Sequence, residues 1–255
     1  MGTYIFTSSL RDFLRPVRIL SWALVAVVLG FLAWQLSGTM SLKDPAGQFG
    51  QIAGAFVFKV CALAAAIFAS NVISQEVEQK TIVYVLTRPI PRWSILSGRL
   101  AAATLSTFLV SIMALVGVAV GIPGIALGSR LVQNDVVALA AASAAYCCLF
   151  TFISLLINKS MLVNLIFAFG WETLVPNTPG SSYYLSISTY ALRIANHPIT
   201  ESMKSFMRFF SGQSQSAKVS LLVAWLVMGL TIALFAALAA YWFTRFEYVP
   251  RDDTE

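Results

Sequence analysis

The residues that could do chemistry are concentrated in one stretch of this chain. Residues 74–99 read SQEVEQKTIVYVLTRPIPRWSILSGR, in a sequence that is 58% hydrophobic and only 11% charged. The charged side chains of this stretch are Glu76, Glu78, Lys80, Arg88, Arg92 and Arg99. Charges of both signs packed this closely are suited to docking on a polar protein surface, or to holding a loop at the membrane surface by snorkelling.

The rest of the sequence offers no catalytic constellation. Cys61, Cys147 and Cys148 stand in apolar runs without metal-ligand spacing, and His197 has no cysteine or second histidine nearby, so we expect it to be a solvated polar residue. The Lys-Ser/Thr pairs that begin at Lys80 and Lys159 lack the glycines of a phosphate-binding loop. We therefore predict no catalytic residue, no metal and no cofactor bound by this chain.

The elements that position the charged stretch are predicted to be membrane spans. A soluble domain carries about 25% charged residues, and a spanning helix needs roughly 20 apolar ones. The sequence predicts a single all-α transmembrane domain over residues 1–255. Its six candidate spans are 19–36, 52–73, 95–120, 136–157, 162–175 and 219–243. The fifth span is short, which indicates a re-entrant segment or local thinning of the bilayer.

The distribution of Lys and Arg predicts the orientation. Cations concentrate in the terminal segments and in the loops after the second and fourth spans, whereas the first and third loops hold only Lys43 and Arg130. We expect a multi-pass protein of the inner (cytoplasmic) membrane with both termini in the cytoplasm. The net charge of +6 reflects this bias, and no basic patch with interleaved aromatic residues predicts binding of nucleic acid.

Two further segments are predicted outside the spans. Apolar residues at helical spacing in residues 4–18 favour a helix lying in the membrane interface. The outer segment 176–218 carries aromatic residues suited to interfacial packing or to gating a substrate exit.

The charged stretch itself predicts a short helix followed by a bend. Glu76 and Lys80 have the spacing of a helical ion pair, and an apolar stripe continues to Leu86. Pro89 disfavours helix at Arg88. From the residues alone, the coupling loop 74–94 is either a mechanical joint for a soluble partner or a polar loop with snorkelling arginines.

The charged stretch resembles the second cytoplasmic loop of ABC-2 type transporter permeases. The resemblance lies in Glu-x-Glu-x-Lys-Thr-Ile at 76–82, Leu-Thr-Arg-Pro-Ile-Pro-Arg at 86–92 and Gly98-Arg99. Arg99 stands where that family more often has lysine, and both residues place a cation at the interface. The element Gly170-Trp171-Glu172 is similar to an aromatic-Glu element near the end of the family's fifth span.

This resemblance implies the membrane half of an ATP-driven exporter. A second permease half, identical or similar, would complete the pathway through the lipid membrane, and separate ABC ATPase subunits would bind ATP and Mg. The loop helix would be the coupling helix against the ATPase. The residues that the resemblance assigns to ATPase coupling are Glu76, Glu78, Lys80, Thr81, Ile82, Leu86, Arg88, Pro89 and Arg92.

Two ion pairs are also hypothesised. Glu76 and Glu78 would pair with Arg11 or Arg15 of the interfacial helix, because these residues share one depth and carry opposite charge. Lys59 and Glu172 lie inside apolar spans, where charge is costly, so they either pair across helices or snorkel outward separately.

Two other classes of protein stay open on the residues. One is a channel or secondary transporter that works without ATP, and the other is a membrane anchor for a soluble complex. The apolar lining of the spans slightly favours a lipid-like or amphipathic substrate over an ion or a sugar.

Overall fold

The computed structural model describes residues 2–13, 15–39, 44–72, 92–157, 159–177, 181–198 and 219–245, and every regular element in these ranges is a helix. The α-helices are α1 (Gly2–Phe13), α2 (Pro16–Thr39), α3 (Pro45–Ile52), α4 (Phe58–Ser70), α5 (Arg92–Gly121), α6 (Arg130–Leu156), α7 (Ser160–Ile166), α8 (Glu172–Leu174), α9 (Ile187–Ala195) and α10 (Leu221–Arg245).

Among the described residues, five helical stretches are long and apolar enough to cross a membrane: Pro16–Gly38, Pro45–Ser70, Trp93–Gly121, Arg130–Leu156 and Leu221–Arg245. This confirms the prediction of an all-α membrane protein. The second stretch begins at Pro45 rather than at residue 52, because Asp44 caps it and accepts hydrogen bonds from the main-chain N–H groups of Ala46 and Gly47.

Two π-helical turns occur in the described ranges. The π-turn Ala53–Val57 joins α3 to α4, and the π-turn Phe167–Trp171 joins α7 to α8. After α8 the chain continues as the 3₁₀ turn Val175–Asn177. The region predicted as a short fifth span is therefore a broken helix, and π-turns of this kind are frequent at functional sites.

The helices run alternately between two ends of the bundle. Arg99 near the start of α5 contacts Val72 after α4, which places these termini together at what we call the loop end. A cavity lined in part by Trp34, Pro45 and Pro123 brings the end of α2, the start of α3 and the residues after α5 together at the opposite end.

The α2 and α5 helices are in main-chain contact. A Cβ atom on Gly30 would lie 2.8 Å from the carbonyl oxygen of Gly117, and side chains on Gly117 or Gly121 would overlap the carbonyl oxygens of Ala26 and Gly30. Small residues permit this approach, and close packing drives association of helices in lipid. We refer to these glycine contacts as the α2–α5 seam.

Within the predicted outer segment, α9 is buried in the bundle, whereas Tyr184 and Leu185 before it are 45% and 66% exposed. Interfacial packing or gating by this segment stays a prediction. Apart from the half-buried Arg193, every residue of α9 is buried, and α9 packs against α6 and α10. Asn196 ends α9 in the left-handed conformation with φ of 52°, and its N–H donates to the carbonyl oxygen of Leu192. Residues 199–218 of the outer segment lie outside the described part of the chain.

Candidate functional site

Most of the predicted coupling contacts fall outside the described residues. Glu76, Glu78, Lys80, Thr81, Ile82, Leu86, Arg88 and Pro89 all lie within 73–91. Arg92 is the first residue of α5. The assignment of these side chains to an ATPase surface stays a prediction.

Both ends of the coupling loop are described, and Arg99 joins them. Its guanidinium Nη1 donates to the main-chain oxygen of Val72 at 2.8 Å, although Arg99 and Val72 belong to different helical stretches. Carbonyl groups at a helix C-terminus lack intrahelical partners, and a cation there is favourable. The cation at the foot of the third span thus fixes where the loop leaves α4 and where it enters α5.

The N-terminal helix α1 contacts the bundle at the loop end. The Phe13 ring packs against Phe68 with ring centroids 5.6 Å apart, and α1 packs along α5. Arg15 pairs with Asp12 at 3.1 Å on the exposed surface, while Arg11 is also exposed. Both arginines are at the loop end, and their pairing with Glu76 or Glu78 stays a prediction because the two glutamates are not described.

A buried amide joins three helices at the loop end. The Nδ2 atom of Asn164 on α7 lies 2.9 Å from Ser70 Oγ, 3.1 Å from Ser154 Oγ and 3.3 Å from the carbonyl oxygen of Phe150. Its side chain is fully buried. We call this group the Asn164 junction; it connects the end of α4 and the end of α6 to the start of α7.

Further along the broken helix, the Glu172 carboxylate is buried and caps α9. Its oxygens accept hydrogen bonds from Ser186 Oγ at 2.6 Å and from the main-chain N–H groups of Ile187 and Ser188 at 3.0 Å each. Glu172 is 1% exposed. A carboxylate at a helix N-terminus is favoured by unsatisfied N–H groups and by the helix dipole.

Lys59 contacts the same residue through a different atom. Its Nζ donates to the main-chain oxygen of Glu172 at 2.5 Å. In a regular helix that oxygen would accept from the N–H group of residue 176, but Pro176 has none. The structure thus brings the two hypothesised partners together, with the lysine on a carbonyl that proline leaves unsatisfied and the carboxylate on α9.

Tyrosines add polar contacts around α9. The hydroxyl of the fully buried Tyr146 on α6 faces Glu172 and Ser188. Tyr190 of α9 donates its hydroxyl hydrogen to the main-chain oxygen of Tyr184 at 2.7 Å. Burial raises the pKa of Tyr190 above its usual value, so its hydroxyl stays a donor to higher pH than that of a free tyrosine.

A second buried polar pair holds the residues after α9. Nε2 of His197 lies 2.6 Å from Oδ1 of Asp135 on α6, and the two side chains are 2% and 0% exposed. The rings of Phe49 and Phe58 meet the imidazole edge-on, with centroids 6.1 and 6.4 Å away. The expectation that His197 is solvated is therefore wrong, because the segment after α9 folds back into the bundle.

Sequence reasoning missed Asp135, Asn164 and His197. Asn164 sits in an apolar run, and this isolation was an available signal, since buried polar side chains require partners. Asp135 follows Gln133 and Asn134, so its sequence neighbours carried no such signal. What the sequence did not provide was the identity of those partners. Within the described ranges, no cluster of His, Cys, Asp and Glu is suited to hold a metal ion.

The fold and its buried polar contacts define a multi-pass helical membrane protein. The sequence profile of ABC-2 family transporter proteins matches residues 16–172, which is more than half of the chain. The protein therefore belongs to the ABC-2 transporter family, as the loop motif predicted. A comparison with curated proteins found no match.

Proposed function

We propose that this chain is the permease subunit of an ATP-driven exporter in the cytoplasmic membrane. Membership of the ABC-2 family supports a permease that lacks an ATPase site of its own and works with an ATPase subunit. Three finer assignments rest on the loop motif and on charge. They are export, coupling through the loop 74–94 and pairing with a second permease half.

The contact of Arg99 with Val72 is the observation that carries the coupling proposal. A partner that pushes on the loop moves both ends of it, and these ends are held together at the feet of α4 and α5. The Asn164 junction connects the end of α4 to α7 and α6. Movement applied at the loop would then reach helices that lead to Glu172 and α9.

The first experiment tests the partner and the joint together. The tagged chain is purified from its native membranes, co-purifying proteins are identified, and ATP hydrolysis is measured in the same sample. We expect a stoichiometric ATPase that is lost when Glu78→Arg and Arg92→Glu are combined. The control is Arg130→Glu, a charge reversal at the exposed start of α6 at the opposite end, which should leave the ATPase bound.

Purification without an ATPase would contradict this proposal and favour the channel or anchor class. Retention of the ATPase by the double reversal would contradict only the assignment of the joint. Arg99 refines the test: Arg99→Lys should preserve coupled ATPase activity, since it keeps the cation, whereas Arg99→Met should lower it severalfold while the ATPase stays bound.

The proposed topology has six crossings, with the broken helix from Ser160 to Asn177 as the fifth and the loop end in the cytoplasm. Single cysteines test it, because the native Cys61, Cys147 and Cys148 are buried. A membrane-impermeant maleimide should label Gly128→Cys in intact cells and Trp93→Cys only after permeabilisation. The reverse pattern would overturn the orientation.

A further inference from the structure

The second span presents one half-buried face, and a cation lies in it. Between residues 47 and 70 the side chains that are not buried are Phe56, Lys59, Val60, Leu63 and Ile67. These positions recur every three or four residues, which places them on one side of the helix. Lys59 is the charged member of this stripe, which we call the Lys59 face.

The Lys59 face lies beside the broken helix. The α4 helix packs against α7 and against the π-turn that follows it. Ile166 and Phe169 of this neighbouring stretch are 71% and 53% exposed. Exposed apolar side chains on a spanning element face lipid, so acyl chains can approach the face from the side.

Lys59 lies deep in the hydrocarbon. At about 1.5 Å rise per residue, Lys59 stands about 16 Å along the helix from Ser70, and Glu172 about 18 Å from Ser160. The hydrocarbon core is about 30 Å thick, so the contact lies inside it, well away from the loop end. Ionisable residues at this depth are rare and mark functional sites by default.

The contact with Glu172 uses one hydrogen of Lys59, and the acidic side chain of the same residue offsets part of its charge. Within the described residues, Nζ has a single hydrogen-bond acceptor, the Glu172 carbonyl oxygen. The carboxylate of Glu172 is engaged by Ser186, Ile187 and Ser188. The other two hydrogens of the ammonium have no acceptor within the described residues, and at a site buried in hydrocarbon these two donors call for a further acceptor.

We propose that the Lys59 face binds an anionic amphiphile, with the phosphate or carboxylate headgroup on the Lys59 ammonium and the acyl chains along the apolar residues of the face. An ammonium has three hydrogens, and two remain for the anion beside the one given to Glu172. Charge-assisted hydrogen bonds of this kind are roughly twice as strong as neutral ones. The binding of the amphiphile does not depend on the proposed function. Its transport as a substrate would rest on the proposed function.

Binding is tested on the full-length chain in detergent, by native mass spectrometry with phosphatidylglycerol and phosphatidylcholine as probes. We expect the wild-type chain to prefer phosphatidylglycerol at least tenfold. Lys59→Gln keeps a donor for the Glu172 carbonyl and removes the charge, so it should abolish the preference, whereas Lys59→Arg should retain it. Arg130→Met, which removes an exposed cation at the opposite end, should also retain it.

A preference that survives in Lys59→Gln would overturn the proposal, and so would the absence of any preference in the wild-type chain. If Lys59→Gln does not fold, Leu63→Trp tests the same face without touching the charge. A bulky ring there should weaken binding of phosphatidylglycerol severalfold, and unchanged binding would overturn the proposal.

The source of the amphiphile is decided by a second arm on the complex with its ATPase. Added lysophosphatidylglycerol should stimulate ATP hydrolysis of the wild type but not of Lys59→Gln if the face receives a transported substrate. Charge-dependent binding without stimulation assigns the face to a bilayer lipid. Loss of the preference in Lys59→Gln supports the site even if no ATPase co-purifies, so failure of the proposed function is distinguishable from failure of this inference.

Discussion

The two ends of the bundle are held by different chemistry. At the loop end, the buried junction of α4, α6 and α7 is neutral: the Asn164 amide lies against two hydroxyl oxygens and a carbonyl oxygen. Toward the opposite end, ionisable side chains hold α9 and the residues after it, through the Glu172 carboxylate and through Asp135 with His197. Both sets of contacts are buried, but they differ in what each costs to break.

The difference teaches where this fold is rigid. Neutral hydrogen bonds contribute about 1 kcal/mol net, and an opening that exchanges one for another costs little. A buried charge that loses its partners costs several kcal/mol. We therefore expect α7 to shift against α4 and α6 at the loop end more readily than α9 shifts against α6.

The largest effect is expected from Glu172→Ala. This change leaves two main-chain N–H groups and the Ser186 hydroxyl without their acceptor, and it removes the anion from the N-terminus of α9. We expect a loss of about 4 kcal/mol or more in the free energy of unfolding, measured by denaturant titration of the detergent-solubilised chain. Glu172→Gln keeps one acceptor oxygen and should lose less. A loss of less than about 1 kcal/mol in the free energy of unfolding of the alanine variant would refute the capping of α9 by Glu172.

The next effect concerns Asp135 and His197. Asp135→Ala should cost about 2–3 kcal/mol, because it leaves a polar nitrogen of a buried imidazole without its partner. A double-mutant cycle with His197→Ala should give a coupling energy of about 1–3 kcal/mol between the two side chains. Strictly additive losses would mean that the 2.6 Å contact contributes no specific interaction.

The smallest effect is expected at the loop end. Asn164→Ala removes neutral hydrogen bonds to two serine hydroxyls and one carbonyl group, for a loss of about 1–2 kcal/mol. Asn164→Asp is the sharper variant, because it places a charge in this neutral junction and should cost more than alanine. If alanine at this position were as damaging as alanine at Glu172, the contrast between the two ends would not hold.

Part of this fold was readable from the sequence because apolar run length is a direct physical requirement of the bilayer. The long helices, a helix at the N-terminus and the family membership all follow from such local signals. The start of the second span at Pro45 is also specified by the local sequence, through the Asp-Pro pair at 44–45. Hydropathy alone placed the start of this span later, at residue 52.

The polar contacts were less readable because they join residues far apart in the chain. That Lys59 and Glu172 meet could be guessed from the cost of isolated charge in lipid. Their atomic arrangement depends on Pro176, which leaves a carbonyl unsatisfied, and on a turn that returns α9 to the carboxylate. No local pattern encodes the approach of His197 to Asp135.

The α2–α5 seam bears on how the protein is made. Gly30 belongs to the first span, whereas Gly117 and Gly121 belong to the third, so α2 is synthesised and released into the bilayer before its partner exists. Until α5 arrives, the small-residue surface of α2 faces lipid. Completion of the third span is therefore the step of biogenesis at which the N-terminal helices acquire their place, and a chain truncated before Gly117 would leave the first span unassembled.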